Sequence, residues 1–497
     1  MKKMLAILLA VVLLTGFSSV LAEQAAKEPV VITVFHTNDV HANAEASSSG
    51  MGYAMMAGYV SAAKSASENV MVLDAGDTFH GTVFATAVQG ASIAQILNAV
   101  GYDAITPGNH DFNYGFDRLK ELESSLTFPM INCNIYTTDG KHAFTPYLIK
   151  EVGGKKIGII GVATPDMVPK IHPDRLTGLE FRGLEEVEKC IAEIEGETDA
   201  IILLSHWGIT GEEITSDVLA KLSNVDLVID GHSHDAWPEG QPVEGGALIV
   251  SSGEKLNNLG KVTLTFDGDK LVVKAELIPA PKVFEDRTIL NSIEEVKAAQ
   301  DVTLQVVVGK TAVDLDGERA DVRTKETNLG NLAADAILEY SGADIAFTNG
   351  GGIRASIPAG DITLKHVVTV FPFGNIVVTK EVSGADIKAA LEHGLRMYPD
   401  QNGGFPQFAG MQVKFDPKKD AGSRVVEVLV GGAPMEDGKM YILATNDFTA
   451  AGGDGYGMFA PGDVLKEFGG LDEALKNYLV SHGEVSPQVE GRLTMVE

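Results

Sequence analysis

Cysteine is scarce in the chain. Cys133 and Cys190 are the two present in 497 residues, too few to frame a scaffold with disulfides even in an oxidising compartment. Cys133 lies in "FPMINCNI", which reads as a buried strand, so it reads as core. Basic residues are in deficit as well, 39 Lys and Arg against 68 Asp and Glu, for a formal charge of −29. Such a chain repels nucleic-acid polymers and anionic membrane surfaces, and a phosphate ligand must find local positive charge. Also missing is an apolar run of about 20 residues, the length a spanning helix needs. The N-terminal run from Leu5 to Leu14, behind Lys2 and Lys3, is followed by Thr15, Gly16, Ser18 and Ser19 and by a small-residue site at Ala22. That is the pattern of a secretory signal over 1–22. No cysteine follows to accept a lipid and the C-terminus has no hydrophobic tail. The expectation is an exported protein, periplasmic or extracellular, with no stable membrane anchor.

What the chain has is length for two cores. From Val30 to about Leu277, apolar β-branched strands ("VVITVFH", "NVMVLDAGD", "KKIGIIGVAT", "DAIILLSH", "DLVIDGH") alternate with helical patterns at 86–99, 184–195 and 212–222. This predicts an α/β layer with both sheet faces covered. "GKVTLTFDGDKLVVKAEL" predicts an antiparallel hairpin. Residues 286–305 read as a lone linker helix, with Ser292 and Glu295 placed for a capping box. A second α/β segment follows over 306–497, with strands at "ADIAFTN", "NIVVTKEV" and "KMYILATN".

Polar clusters recur at the ends of the first segment's strands: Asp39 and His41, Asp77, Asn109 with His110, His206, and His232 with His234. Loops from several strands converge at the carboxyl ends of an open α/β sheet. Taken singly, each cluster is an ordinary turn. Together their imidazole, carboxylate and amide donors suit two adjacent divalent cations, drawn from Zn, Mn, Co, Fe or Ni. His36, by contrast, reads as a buried neighbour, His80 as an outer residue at most, and His142 and His172 as surface groups.

The series "HTNDVH", "AGDTFHG", "GNHDFNYG", "LLSHWG" and "IDGHSH" resembles the calcineurin-like metallophosphatases. With the second segment, the whole mature chain is similar to the bacterial 5'-nucleotidase family, which also includes UDP-sugar hydrolases and 2',3'-cyclic nucleotide phosphodiesterases. The resemblance implies a four-layer αββα sandwich over 29–285, the linker helix, and a C-terminal substrate-binding domain over 306–497. It places Asp39, His41, Asp77 and His234 on one metal and Asp77, Asn109, His206 and His232 on the other. His110 would face the phosphoryl group. Asn113 stands where nucleotidases often carry Asp, and would accept the imidazole N–H without supplying charge; Asp111 is a substitute partner for His110, ranked below a structural role.

In the second segment, Arg319 and Arg323 lie four residues apart and Arg354 follows a glycine run that lacks the Lys-Ser/Thr of a P-loop. Phe373 and Phe448 stand among glycines rather than in apolar periodicity, which suits two faces clamping a planar base. The resemblance makes the same assignment, with Asp454 on ribose hydroxyls, the arginines on the phosphate or ribose side, and Asn375 and Gly403 as base contacts. The reaction it implies is hydrolysis of nucleoside 5'-monophosphates by a metal-bound hydroxide. Alternatives are a 2',3'-cyclic nucleotide or a UDP-sugar as substrate, and, from a different class, a non-catalytic nucleoside-binding protein.

Overall fold

The computed structural model describes residues 28–47, 49–164, 173–209, 215–268, 270–279 and 284–496. The expected signal at 1–22, His172 and the start of the 212–222 pattern lie outside them.

Two five-stranded sheets build the N-terminal half. One runs in the order Lys270–Pro279, Asn258–Asp267, Val30–Thr37, Val70–Asp74, Ala104–Ile105, and the other Leu248–Val250, Leu227–Asp230, Ala200–His206, Lys155–Ala163, Tyr147–Val152. Their inner faces meet in one apolar layer, where Ile32, Val34 and Met71 pack with Ile159, Ile202 and Leu227. The central strands Val70–Asp74, Ala200–His206 and Leu227–Asp230 are buried on both faces because helices cover the outer sides. Gly52–Ala66, Ala91–Val100 and Phe116–Ser125 cover the first sheet, and Leu184–Ile194 and Asp217–Ala220 the second. The result is the αββα order, and the hairpin is present, pairing Asn258–Asp267 with Lys270–Pro279.

Four local expectations change. The 86–99 pattern is two helices, Val83–Thr86 and Ala91–Val100, separated at Gln89 and Gly90, both with positive φ. Of the 212–222 pattern, the described residues are helical only over Asp217–Ala220. "FPMINCNI" is a buried connection rather than a strand until Ile135, since the side chains of Asn132 and Asn134 take the bonds a ladder would have made. The helix Arg287–Leu304 is capped by Asp286, whose carboxylate accepts from Thr288 and Ile289 N–H; Ser292 and Glu295 are interior. An Asp at the N-cap satisfies orphan donors where Ser292, already inside, cannot. This helix buries Ile289, Ile293 and Val296 in the N-terminal core, and Gln300 donates to Phe84 O at 2.6 Å.

The C-terminal half centres on a mixed sheet ordered Pro406–Ala409, Ile345–Asn349, Met440–Asn446, Ile376–Ser383, Val464–Gly470. Helices Asn328–Ser341 and Leu471–His482 cover one face, and Gly384–Gly394 lies on the other, started by a Ser383–Asp386 capping box. Among the described residues no helix is long and apolar enough to cross a membrane.

Candidate metal centre

Each expected ligand sits at or just past a strand's carboxyl end: Asp39 after Val30–Thr37, Asp77 after Val70–Asp74, Asn109 after Ala104–Ile105, His206 closing Ala200–His206, and His232 and His234 after Leu227–Asp230. The turns are tight enough to force unusual backbone. Eleven non-glycine residues have positive φ among the described residues, and Asp39, His41, Asp77, His232, His234 and Asp454 are six of them. Backbone of this kind persists where surroundings over-determine it, and it gathers at functional sites.

The side chains converge. Asp39, His41 and His234 form one group of donor atoms, Asp77, His206 and His232 a second, and His41, Asp77 and His110 a third. Asp77 Oδ1 accepts the His110 backbone N–H at 2.8 Å, while Oδ2 faces His206 Nε2 at 3.3 Å and His41 Nε2 at 4.0 Å. His234 Nε2 lies 3.4 Å from Asp39 Oδ1 and 3.2 Å from His41 Nε2, and Asn109 Oδ1 lies 3.3 Å from His206 Nε2. Ligands at about 2.1 Å around a tetrahedral ion stand roughly 3.4 Å apart, so the spacing suits cations held by nitrogen and oxygen.

Charge makes the same point. Asp39 and Asp77 are buried, with no Lys or Arg partner among the described residues. Burial opposes a charged His206, yet the Asp77 and Asp39 carboxylates push it up to about 10. A centre this short of positive charge fits a cation.

Sequence reasoning missed the support beneath the ligands. His206 Nδ1 faces Ala75 O at 2.7 Å and His234 Nδ1 faces Glu254 Oε2 at 3.3 Å, each turning Nε2 inward. Asn38 Nδ2 donates to Asp39 Oδ2 at 2.7 Å, and Asp74 accepts from Thr78 Oγ1 at 2.6 Å. Polar residues closing otherwise apolar strands were the available signal for Asn38 and Asp74; Glu254 and Glu467, described below, carried none. Asp111 does not partner His110: its carboxylate accepts the N–H groups of Asp77, Thr78, Phe79 and Gly108. Gly108 is obligatory, because a Cβ there would lie 2.2 Å from Asp77 Oδ1.

Asn113 also departs from expectation. Its Nδ2 donates to His110 Nδ1 at 3.1 Å, and it reaches His80 Nδ1 at 3.2 Å, because two imidazoles stack in parallel beside one amide. A ring accepting at Nδ1 keeps its proton on Nε2.

A cavity of about 1180 Å³ opens over these residues, lined from the other half by Phe373, Asn375, Phe448 and Glu467 among others. Phe373 and Phe448 are 56% and 45% exposed, far from core values for phenylalanine. Asn375 Nδ2 donates to Asp447 at 2.7 Å. Arg319, Arg323, Arg354, Gly403 and Asp454 do not line this cavity. They gather beyond it: Arg354 lies 5.4 Å from the Phe373 ring centre, Asp454 accepts from Asn349, and Gly403 sits against Asp454. Burial, then the charges of Arg319 and Arg354, lower the Arg323 pKa. None of the three arginines has an ion-pair partner among the described residues, and Arg323 Nε is buried and unpartnered.

Residues 32–236 match the calcineurin-like phosphoesterases and residues 307–461 the 5'-nucleotidase C-terminal domain. With that fold and donor set, the protein is a metal-dependent phosphoester hydrolase. A snake venom 5'-nucleotidase from Gloydius brevicauda is 30% identical over 93% of this chain and 88% of its own length. The 5'-nucleotidase precursor of Thermus thermophilus is 31% identical, with a TM-score of 0.57 over 94% of this chain and 100% of that structure. The trifunctional nucleotide phosphoesterase YfkN of Bacillus subtilis is 32% identical over 94% of this chain, which spans 35% of its length. The chain belongs to the 5'-nucleotidase family.

Proposed function

We propose that the chain is an exported two-metal enzyme that hydrolyses nucleoside 5'-monophosphates to nucleoside and phosphate. Asp39, His41, Asp77 and His234 hold one cation and Asp77, Asn109, His206 and His232 the other, Asp77 being shared. The observation that carries this reading is Asp77 Oδ2, buried without Lys or Arg and set between His206 and His41. Divalent cations, when bound, neutralise phosphoryl oxygens and acidify water. His110 presents an Nε2 proton to the phosphoryl group or leaving oxygen, and Asn113 holds that tautomer through Nδ1. Phe373 and Phe448 take the base between them, while Asp454 and the arginines take the sugar and phosphate side.

The division into 29–285, a connecting helix and 306–497 belongs to the same proposal. Because the arginines and Asp454 lie outside the metal cavity, a substrate that touches both sets requires the halves to turn. The helix Arg287–Leu304 is anchored in the N-terminal core, so the hinge falls after Leu304.

One observation favours a second substrate. An Asn at 113 supplies no charge to His110, and the cyclic phosphodiesterase branch commonly carries Asn there. Phosphate release from AMP, UDP-glucose and a 2',3'-cyclic nucleotide, measured for wild type and Asp77→Asn, tests both readings. AMP as the best substrate, with activity lost in the variant, supports the first. Unaltered release by Asp77→Asn overturns the metal assignment.

A further inference from the structure

Glu467 belongs to the C-terminal half, yet its carboxylate partners are in the metal centre. Oε2 lies 3.1 Å from Asn109 Nδ2 and 3.4 Å from His110 Nε2, with the side chain 18% exposed. Its strand, Val464–Gly470, is the sheet's edge and among the described residues pairs only with Ile376–Ser383. The register shifts between Ile376, opposite Gly470, and Val378, opposite Glu467. A bulge at an edge re-aims a side chain, and here it aims an anion across the cleft. The halves also touch at Gly374, where a Cβ would meet Gly81 O at 2.2 Å, and at Arg175 and Glu473, 3.9 Å apart.

Of the two donors that Glu467 meets, His110 is the one expected to face a phosphoryl oxygen, and Asn109 stands beside it in the metal ligand set. His110 is its only ion-pair partner among the described residues. From this geometry we infer that Glu467 is an internal competitor for the phosphate position: its carboxylate holds the C-terminal half against the metal centre until an incoming phosphate takes the His110 donor and displaces it. Like charges at one site exclude each other, so phosphate entry and release of the C-terminal half are coupled. The released half is the one that must turn to deliver the arginines and Asp454. The inference rests on His110 being the phosphoryl-facing imidazole.

The test is calorimetric titration of inorganic phosphate into the metal-loaded protein, comparing wild type, Glu467→Ala, Glu467→Gln and His110→Ala. Spin labels on Ser124→Cys and Ser481→Cys, one exposed site in each half, report the interdomain distance in the same proteins; Cys133 and Cys190 are buried. Glu467→Ala is expected to bind phosphate about tenfold tighter, the order of one hydrogen bond to a charged group. Its label distance without phosphate should already resemble that of phosphate-saturated wild type. Glu467→Gln, which loses charge and keeps size, should move the same way by less. Wild-type affinity and distance in Glu467→Ala, with weakened phosphate binding in His110→Ala, overturn the inference and leave the reading of the centre standing. Unchanged phosphate affinity and turnover in His110→Ala overturn that reading itself.

Discussion

Asp111→Asn is the sharpest test of how the centre is held. The carboxylate accepts four backbone N–H groups at 2.8 to 2.9 Å, from Asp77 and Gly108 on one oxygen and Thr78 and Phe79 on the other. An amide keeps one oxygen and turns an NH2 toward the remaining pair, leaving two buried donors unmatched at about 1–3 kcal/mol each, or roughly 2–6 kcal/mol. Against this, burial pushes Asp111 from 3.8 up to about 6, and relief of that charge returns about 3 kcal/mol at most. Lost hydrogen bonds outweigh the relief through most of this range, so a net destabilisation of about 1 kcal/mol is expected, lowering Tm by roughly 2–4 °C. Asp77 moves with its own N–H, so metal affinity falls too. Calorimetric melting and metal titration measure both effects. An Asp111→Asn protein that melts at or above the wild-type temperature and binds metal equally well refutes the argument.

Three other outcomes are expected. Glu254→Gln weakens the acceptor that turns His234, and metal titration should show affinity reduced by about 10- to 100-fold with the melting temperature of the metal-free protein little changed. Phe448→Ala removes one exposed ring at the cavity; kcat/KM for AMP should fall by about tenfold or more while turnover of p-nitrophenyl phosphate, which has no base, stays level. Burial lowers His36 from 6.5 to about 3, so the unfolded chain binds the extra proton and stability is lost as pH falls below 6.5 toward 3. Between pH 7 and 5, urea titrations should show His36→Gln losing about 2 kcal/mol less than wild type; parallel losses would count against a buried neutral ring.

Much of this was legible because it rests on local pattern. Strands apolar on both faces announced covered sheets, and polar residues clustered at their ends announced a convergent site. What stayed hidden depends on contacts across long stretches of chain. Asp111 looked like a partner for His110 because they are neighbours in sequence; its acceptor role requires the turn after Val70–Asp74 to fold back over it. Ser292 matched a capping pattern, but the helix begins earlier because Asp286 reaches its first donors. Glu467 stands 358 residues from Asn109, and no periodicity links an edge strand in one half to a loop in the other.

Two costs coincide at the strand ends, and they have one remedy. Asp39 and Asp77 combine positive φ with buried charge; the backbone costs of order 1–3 kcal/mol, and a buried charge without a counter-charge costs more. Backbone N–H groups soften the charge, since His110 donates to Asp77 and His232 donates to Asp39, but neutral donors cannot cancel it. The carboxylates instead draw protons onto His206 and His234, whose pKa values they raise against the effect of burial, while burial keeps His41 well below the usual imidazole range. A divalent cation removes the need for those protons and rewards the strained turns that bring the donors together. The N-terminal half should therefore gain more stability from metal than the C-terminal half, whose arginine cluster calls for an anion instead.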